Sequence, residues 1–495
     1  MQKAVFTPEA GMWVGIFLSG YALILTGLTV FAARKVRNFA DYLVAGRSLP
    51  FFLCTATLLA TWFGAGSSMG VAGAVCKKGL YGVTADPFGA SLALLLGGLF
   101  YVKYLRAKAS YTITDIIEER YGKKASIYAS FFLLPTYTGW LGALILAMGK
   151  ILSLLLGWEP LPCSLVIGAV ILLYTLFGGM WAVTLTDAFQ ILLILLGFLL
   201  LLPEVAARLP GGLAFVKEIP AKDFSLLPSP PDSWEMWTSC FGQWIVMGLG
   251  CIVGQDLFQR TLSAKTPEIA RKSTLYSALF YFLLTLFPIF FGFSARFLPW
   301  KELLPPHLVL ENGLLKDPEQ ILPLLAGTLL SPIPAALFLT SLLAVIMSSA
   351  DSSVLAVSSL FVNNIVRPLC KKELPDKKSL LLVRLSGAGF LVLGVVLALH
   401  AKSIFTLLVN SWACQLLVLF VPVTCAIYFP KTSLKGIWCG MTAGPLVWFF
   451  YAAIRCGFSL EKLGDDILYQ GAFFGFLAAC LLTFLWPGKK KPETE

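Results

Sequence analysis

The sequence predicts an all-α polytopic membrane protein of about thirteen transmembrane helices, and three observations carry that prediction. Of 495 residues, 58% are hydrophobic and 13% charged, against roughly 25% charged in soluble domains. The mean hydropathy is +0.81. The apolar residues come in runs of about 20, long enough to cross a bilayer core. The net charge of +11 does not indicate a nucleic-acid binder, because the basic residues sit in short loops between the runs.

In chain order the predicted spans are 11–34, 51–75, 80–105, 125–153, 162–178, 183–204, 237–258, 273–296, 333–364, 380–400, 403–428, 434–455 and 467–486. Gly11 to Arg34 is long enough to be a permanent span, and the residues before it lack the basic region and small-residue cleavage site of a signal peptide. The loop 106–124 holds Thr112-Ile-Thr-Asp115 and then Glu118 and Glu119, the pattern of a helix start with a capping threonine and an acidic first turn. It reads as a short interfacial helix without chemistry. Spans five and six are joined by a short loop at 178–186. The longest connections, 205–236 and 297–332, are rich in Pro and charge, and 318–330 is expected as a surface helix ahead of the long span 333–364.

Lys and Arg set the orientation. One set of loops, including 34–47, 103–124, 260–272, 367–384 and the tail Lys489 to Lys491, holds 25 of the 38 basic residues; the opposite set holds 12, leaving Lys150 inside a span. The bias puts the N-terminus outside and the C-terminus in the cytoplasm. The eleven cysteines lie mostly in apolar runs, where a thiol acts as a small hydrophobe. Cys163, Cys240 and Cys456 fall near the outer face, but nothing indicates a disulfide. His307 and His400 are the only histidines, and both fall near the outer surface, which argues against a His-built metal or haem site.

Span two is poor material for a plain lipid-facing helix. Residues 60–74 contain Gly64, Gly66, Gly70 and Gly73 with Ser67 and Ser68. In hydrocarbon an unpaired carbonyl costs several kcal/mol, so loosened backbone survives only inside protein or beside a cavity. Freed carbonyls at mid-membrane depth are ligands for a hard cation, as in the ion and solute sites of secondary transporters. Close helix packing through small residues fits Gly66 and Gly70 equally. Span seven repeats the theme with Gly248, Gly250 and Gly254. Five spans separate the two starts, which suggests an inverted repeat. The units would be 51–204 and 237–428, with 11–34 an extra first helix and 434–486 two added ones.

Span nine carries Ser348-Ser349-Ala-Asp351-Ser-Ser353. A carboxylate in a span is costly and commonly functional or near an interface; Asp351 lies close enough to the cytoplasmic end for either. Ser348 and Ser349 could meet the broken backbone of span two. Two hydroxyls and three or four carbonyls make an uncharged oxygen cage for a monovalent cation, whereas calcium or magnesium would call for more carboxylate.

With these residues in view, the chain resembles the sodium:solute symporter family. The resemblance rests on Ala40-Asp-Tyr-Leu-Val-Ala-Gly-Arg-Ser-Leu49, the segment Ala60 to Gly66, Tyr174-Thr-Leu-Phe-Gly-Gly-Met-Trp-Ala-Val-Thr-Leu-Thr-Asp187 with Gln190, and the Ser348-Ser349 pair. It implies a LeuT-like five-plus-five inverted-repeat core working by alternating access, with Na+ as the coupling ion. The family's sodium site would use the carbonyls of Ala60, Phe63 and Val345 and the hydroxyls of Ser348 and Ser349. Asp187 matches an aspartate near the inner end of the sodium exit route; its alternative role is a cap on the 178–186 loop. Some members, such as the proline transporter, have an aspartate close after the first sodium carbonyl, where this chain has Trp62.

Thr61-Trp-Phe-Gly-Ala-Gly, Trp140 and Gln255 to Arg260 are similar to choline-transporter-like members, which hold a quaternary ammonium on aromatic faces. The resemblance then implies a substrate site with Trp62 and Trp140, with Gln243, Trp244 and Trp412 as further candidates. Gly254 sits where those members carry a tryptophan. For any single Trp, ordinary packing is the competing reading. The expectation is a sodium-coupled symporter of the plasma (inner) membrane, carrying a small organic solute: an amino acid, pantothenate, or a choline- or betaine-like amine. A membrane sensor on a transporter fold is the alternative. An enzyme is disfavoured because no nucleophile–base pair assembles in the spans, and a channel because no ring of charge lines them. The partners implied are sodium, the solute and the bilayer, with no obligate protein.

Overall fold

The computed structural model describes residues 8–108, 110–228, 233–370, 374–400, 404–457 and 463–486; the basic tail Lys489 to Lys491, and Lys371 and Lys372, lie outside them. Its longer helices are α1 (Pro8–Ala33), α2 (Phe51–Trp62), α3 (Val71–Lys78), α4 (Ala90–Leu96), α5 (Lys123–Leu156), α6 (Pro160–Arg208) and α7 (Trp234–Gly248). They continue as α8 (Gln255–Ser263), α9 (Pro267–Ser294), α10 (Pro332–Leu360), α11 (Asp376–His400), α12 (Ile404–Gln415), α13 (Leu434–Cys456) and α14 (Asp465–Phe484). Among the described residues, eleven helical segments are long and apolar enough to cross a membrane, and Phe51–Trp62 and Pro160–Ile171 are shorter apolar helices. Phe51–Trp62 is short because the chain leaves helical geometry at Phe63, just before Gly64.

Lipid-facing and protein-facing helices separate cleanly. On α9, Tyr276, Leu279, Phe280, Leu283 and Leu286 are exposed, a stripe at helical spacing that only hydrocarbon would solvate well. The helices α1, α11 and α13 are likewise mostly outward, whereas α5 and α10 are mostly buried. The broken elements lie against this buried centre, with α2 packing on α6, α9 and α10.

The first break follows Trp62. Phe63 leaves helical geometry at φ −84°, ψ 86°. The Gly64 N–H, which a continuous helix would aim at the Ala60 carbonyl, instead donates to the Trp62 carbonyl at 3.1 Å. The chain resumes through a wide turn at Gly66–Gly70 and enters α3. The second break separates α7 from α8, where Gly254 is extended and starts the new helix.

Three expectations change. No 178–186 loop exists: α6 bends at a single residue, Gly179 (φ 54°, ψ −160°). A side chain is excluded there both by that left-handed φ and by Tyr42, whose carbonyl oxygen lies 2.7 Å from where a Cβ would stand. The predicted surface helix 318–330 is a turn, Pro318–Gln320, followed by Ile321–Leu329, with Ile321, Leu322, Leu324 and Leu325 fully buried; its apolar side is tucked into the bundle. Cys163, Cys240 and Cys456 are free thiols. The helix after Thr112 does form, at Thr114–Tyr121, but without the capping threonine: Asp115 in its first turn instead reaches back to accept the Tyr111 N–H at 2.7 Å and the Thr112 N–H at 3.0 Å.

The 317–319 turn ties several elements together. Lys150 Nζ lies 2.6 Å from Glu319 Oε2 and 2.8 Å from Asp317 Oδ2. The Ile404 N–H donates to Glu319 Oε2 at 3.4 Å. A Cβ on Gly73 would stand 3.0 Å from the Pro318 and Glu319 backbone.

Candidate ion and solute site

The two serines of α10 part company. The Ser349 hydroxyl lies 3.1 Å from the Thr61 carbonyl and 3.4 Å from the Ala60 carbonyl, so it reaches the broken backbone. Ser348 does not: its hydroxyl donates to Asp187 Oδ1, and Thr57 donates to Asp187 Oδ2. Val345 is fully buried one turn before Ser349, and Phe63 is fully buried with its ring edge-on to Phe198 at 5.9 Å. Asp187 is fully buried within α6, between α2 and α10, and caps no loop. Beneath this group Arg260 is also fully buried, donating to Ser352 Oγ and reaching the Asp256 carbonyl at 3.5 Å.

Beside the first break lies a cavity lined by Trp62, Trp140 and Trp412 together with Asp86, Asp256, Tyr137, Tyr281 and Gln415. The break itself, Gly64 to Ser67, forms one wall. The three indoles come from α2, α5 and α12, far apart in sequence. Trp62 meets Tyr281 edge-on at 6.3 Å, and Trp140 tilts against Tyr137 at 6.0 Å. The Trp62 Nε1–H makes no hydrogen bond of ordinary geometry, but its indole lies close enough to the Asp256 carboxylate to interact with it.

Gln243 and Trp244 do not reach this cavity. Gln243 lines a separate one with Gly70, Lys77, Lys78, Tyr81 and Glu319, and Trp244 is half-buried on α7. Both lie more than one helical turn before the break that brings α7–α8 to the cavity, so their side chains open at another level. Asp351 is buried on α10 and lines a third cavity with Tyr42, Gly179, Thr186 and Arg384.

Two carboxylates at the solute cavity were not singled out from sequence. Asp86 is held by the Tyr281 hydroxyl on Oδ1 and by Ser67 Oγ at 2.9 Å on Oδ2. The Tyr137 hydroxyl lies 2.9 Å from Asp256 Oδ1 and 3.1 Å from Gln415 Oε1, and accepts the Gln255 N–H at 2.6 Å. Among the described residues no Lys or Arg forms an ion pair with either carboxylate. The signal was available: both aspartates fall inside predicted spans, and an intramembrane carboxylate is expensive enough to mark a site.

The sodium:solute symporter family model matches residues 42–444. The chain belongs to the sodium:solute symporter family. It is 28% identical over 441 residues to the high affinity choline transporter 1 of Homo sapiens, covering 86% of this chain and 74% of that protein. It is 27% identical over 421 residues to the high-affinity choline transporter 1 of Drosophila melanogaster, covering 83% of this chain but only 66% of that protein's length. A solved structure of a Na+-coupled sialic acid symporter, in a substrate-bound outward-open state, superposes with a TM-score of 0.78 at 18% identity, covering 97% of this chain and 99% of the other. The fold is therefore shared with that sodium-coupled symporter.

Proposed function

We propose that the protein is a sodium-coupled symporter that imports a small organic cation across the plasma (inner) membrane by alternating access. The observation that carries the reading is the cavity beside the first break, where three indoles from three helices and two carboxylates converge. An indole face attracts a cation by about 0.5–2 kcal/mol, more when water is excluded. Asp256 has the buried Arg260 guanidinium near it, whereas Asp86 is held by hydroxyls; a buried carboxylate without a counter-charge is costly, and a cationic solute removes that cost. Neither feature suits a free carboxylate on the solute, as in pantothenate.

Sodium would sit at the break, held by the carbonyls of Ala60, Phe63 and Val345 and by Ser349 and Ser348, with Asp187 toward the cytoplasmic exit. The Ser349 contacts to Ala60 and Thr61 support the position. Ser348 would have to turn from Asp187 to join, which links the ion site to that carboxylate. Two inverted repeats, 51–204 and 237–428, would rock about this centre, with the N-terminus outside and the C-terminus in the cytoplasm.

The test is uptake into proteoliposomes of a labelled panel holding choline, betaine, ethanolamine, proline and pantothenate, with and without an inward sodium gradient. The expected result is sodium-dependent uptake of a cationic amine. Sodium-dependent uptake confined to pantothenate or proline would overturn the cation, and uptake indifferent to sodium would overturn the coupling.

A further inference from the structure

The cavity beside the first break offers a cation two kinds of partner, aromatic rings and carboxylates. A Cβ on Gly254 would lie 2.6 Å from Asp256 Oδ1 and 3.2 Å from Gln415 Nε2. The space beside Gly254 is filled by an acid and an amide. A π face and a carboxylate ask different things of a cation. A π face needs only positive charge brought close. A carboxylate is an acceptor with about four lone-pair sites and is satisfied by hydrogen-bond donors.

Asp86 sharpens the point. It is 2% exposed, and the donors on it are two neutral hydroxyls, Tyr281 and Ser67, one to each oxygen. Acceptor capacity remains on both oxygens. Asp256 competes with Gln415 for the single Tyr137 proton, with the Trp62 indole and the Arg260 guanidinium near it, so Asp86 is the less satisfied of the two. A quaternary ammonium carries no N–H, so its methyl groups would keep water away from these carboxylates and give them no hydrogen bond in return. A protonated primary or secondary amine brings charge and donors together, and charge-assisted hydrogen bonds are about twice as strong as neutral ones.

We propose that the solute of this cavity is a protonated primary or secondary amine, with its N–H groups received by Asp86 and Asp256, and that quaternary ammonium compounds are disfavoured. The inference rests on the organic-cation reading above and narrows it. The indoles Trp62, Trp140 and Trp412 then cover the carbon skeleton and the remaining faces of the cation, and Asp86 and Asp256 choose among cations by their donors.

The experiment holds charge constant and removes donors one at a time. The full chain in proteoliposomes, on a solid-supported membrane in sodium at pH 7, is challenged with ethanolamine, N-methylethanolamine, N,N-dimethylethanolamine and choline. All four are monocations, and their N–H count falls from three to none. The half-saturating concentration should rise along the series, by at least about tenfold from ethanolamine to choline if one charge-assisted hydrogen bond is lost. In Asp86→Asn the value for ethanolamine should rise and the series should flatten, while the sodium concentration for half-activation stays put. Asp256→Asn provides the same readout should the first variant express poorly, and the wild-type series needs no variant. Choline acting as well as or better than ethanolamine overturns the inference but leaves the organic-cation reading standing. If none of the four gives a current while proline or pantothenate does, both fall. If Asp86→Asn shifts sodium activation and keeps the methylation order, Asp86 is an ion ligand and the inference is wrong.

Discussion

Gly64 is the residue on which the ion site can be tested most sharply. A Cβ at this position would stand 2.6 Å from Ser349 Oγ and 3.2 Å from Ser349 Cβ. Ordinary contact begins near 3.4 Å, so Gly64→Ala drives a methyl into the hydroxyl that faces the Ala60 and Thr61 carbonyls. Overpacking of this kind costs about 1–3 kcal/mol. If it falls on sodium binding, the sodium concentration for half-maximal transport should rise roughly 5- to 140-fold. Ser349→Ala removes one neutral ligand and should raise it roughly 2- to 12-fold. The two effects should not multiply. Without Oγ the closest remaining approach is the 3.2 Å contact to Cβ, which needs only a few tenths of an ångström of give. The double variant should therefore lie within about 3-fold of Ser349→Ala alone, the non-additivity expected of residues in contact. Solute-evoked currents across a sodium titration measure all four proteins, and melting in detergent confirms that each is folded. An unchanged sodium response in Gly64→Ala, or effects that multiply in the double variant, would refute the placement of sodium at this break.

Two further outcomes are expected. For a cationic solute, Trp62→Leu should weaken uptake roughly 2- to 30-fold, from a ring contribution of about 0.5–2 kcal/mol, and Trp62→Phe should weaken it less; equal effects of Leu and Phe would take the ring's charge attraction out of the account. For topology, Ser110 is buried and a poor reporter, whereas Lys123 and Glu311 are exposed. An impermeant thiol reagent should label Glu311→Cys on intact cells, and Lys123→Cys only after permeabilisation, on a cysteine-depleted background; the reverse pattern would invert the orientation.

The sequence was most legible where backbone chemistry and solvent agree. Runs of apolar residues long enough for a bilayer located the helices, and glycines inside those runs located both breaks, because Gly alone tolerates the contacts at Gly64 and Gly254. The pairing of Ser349 with span two was legible because loosened backbone inside an apolar bundle calls for polar partners, and span nine carries hydroxyls. The split between Ser348 and Ser349 was not, since one residue turns a side chain by about 100° around a helix and only packing decides which face meets which partner. Gln243 and Trp244 were drawn in by proximity to the second break in sequence, and that break changes the direction of the chain between them and the cavity. Asp86 and Asp256 were missed although the cost of an intramembrane carboxylate should have flagged them; attention went to Asp351, which lines a different cavity.

The turn that joins Lys150, Ile404 and the approach to Gly73 has a practical meaning. The start of α3, the long helix α5 and the start of α12 all touch residues 317–319, and that short stretch belongs to the 297–332 connection, which the basic-residue bias would put outside. A nanobody or antibody fragment seated on this connection would grip three membrane segments at once without entering the solute cavity. By restraining those segments it would slow transport without competing for the cavity, so its inhibition would not be relieved by raising the solute concentration.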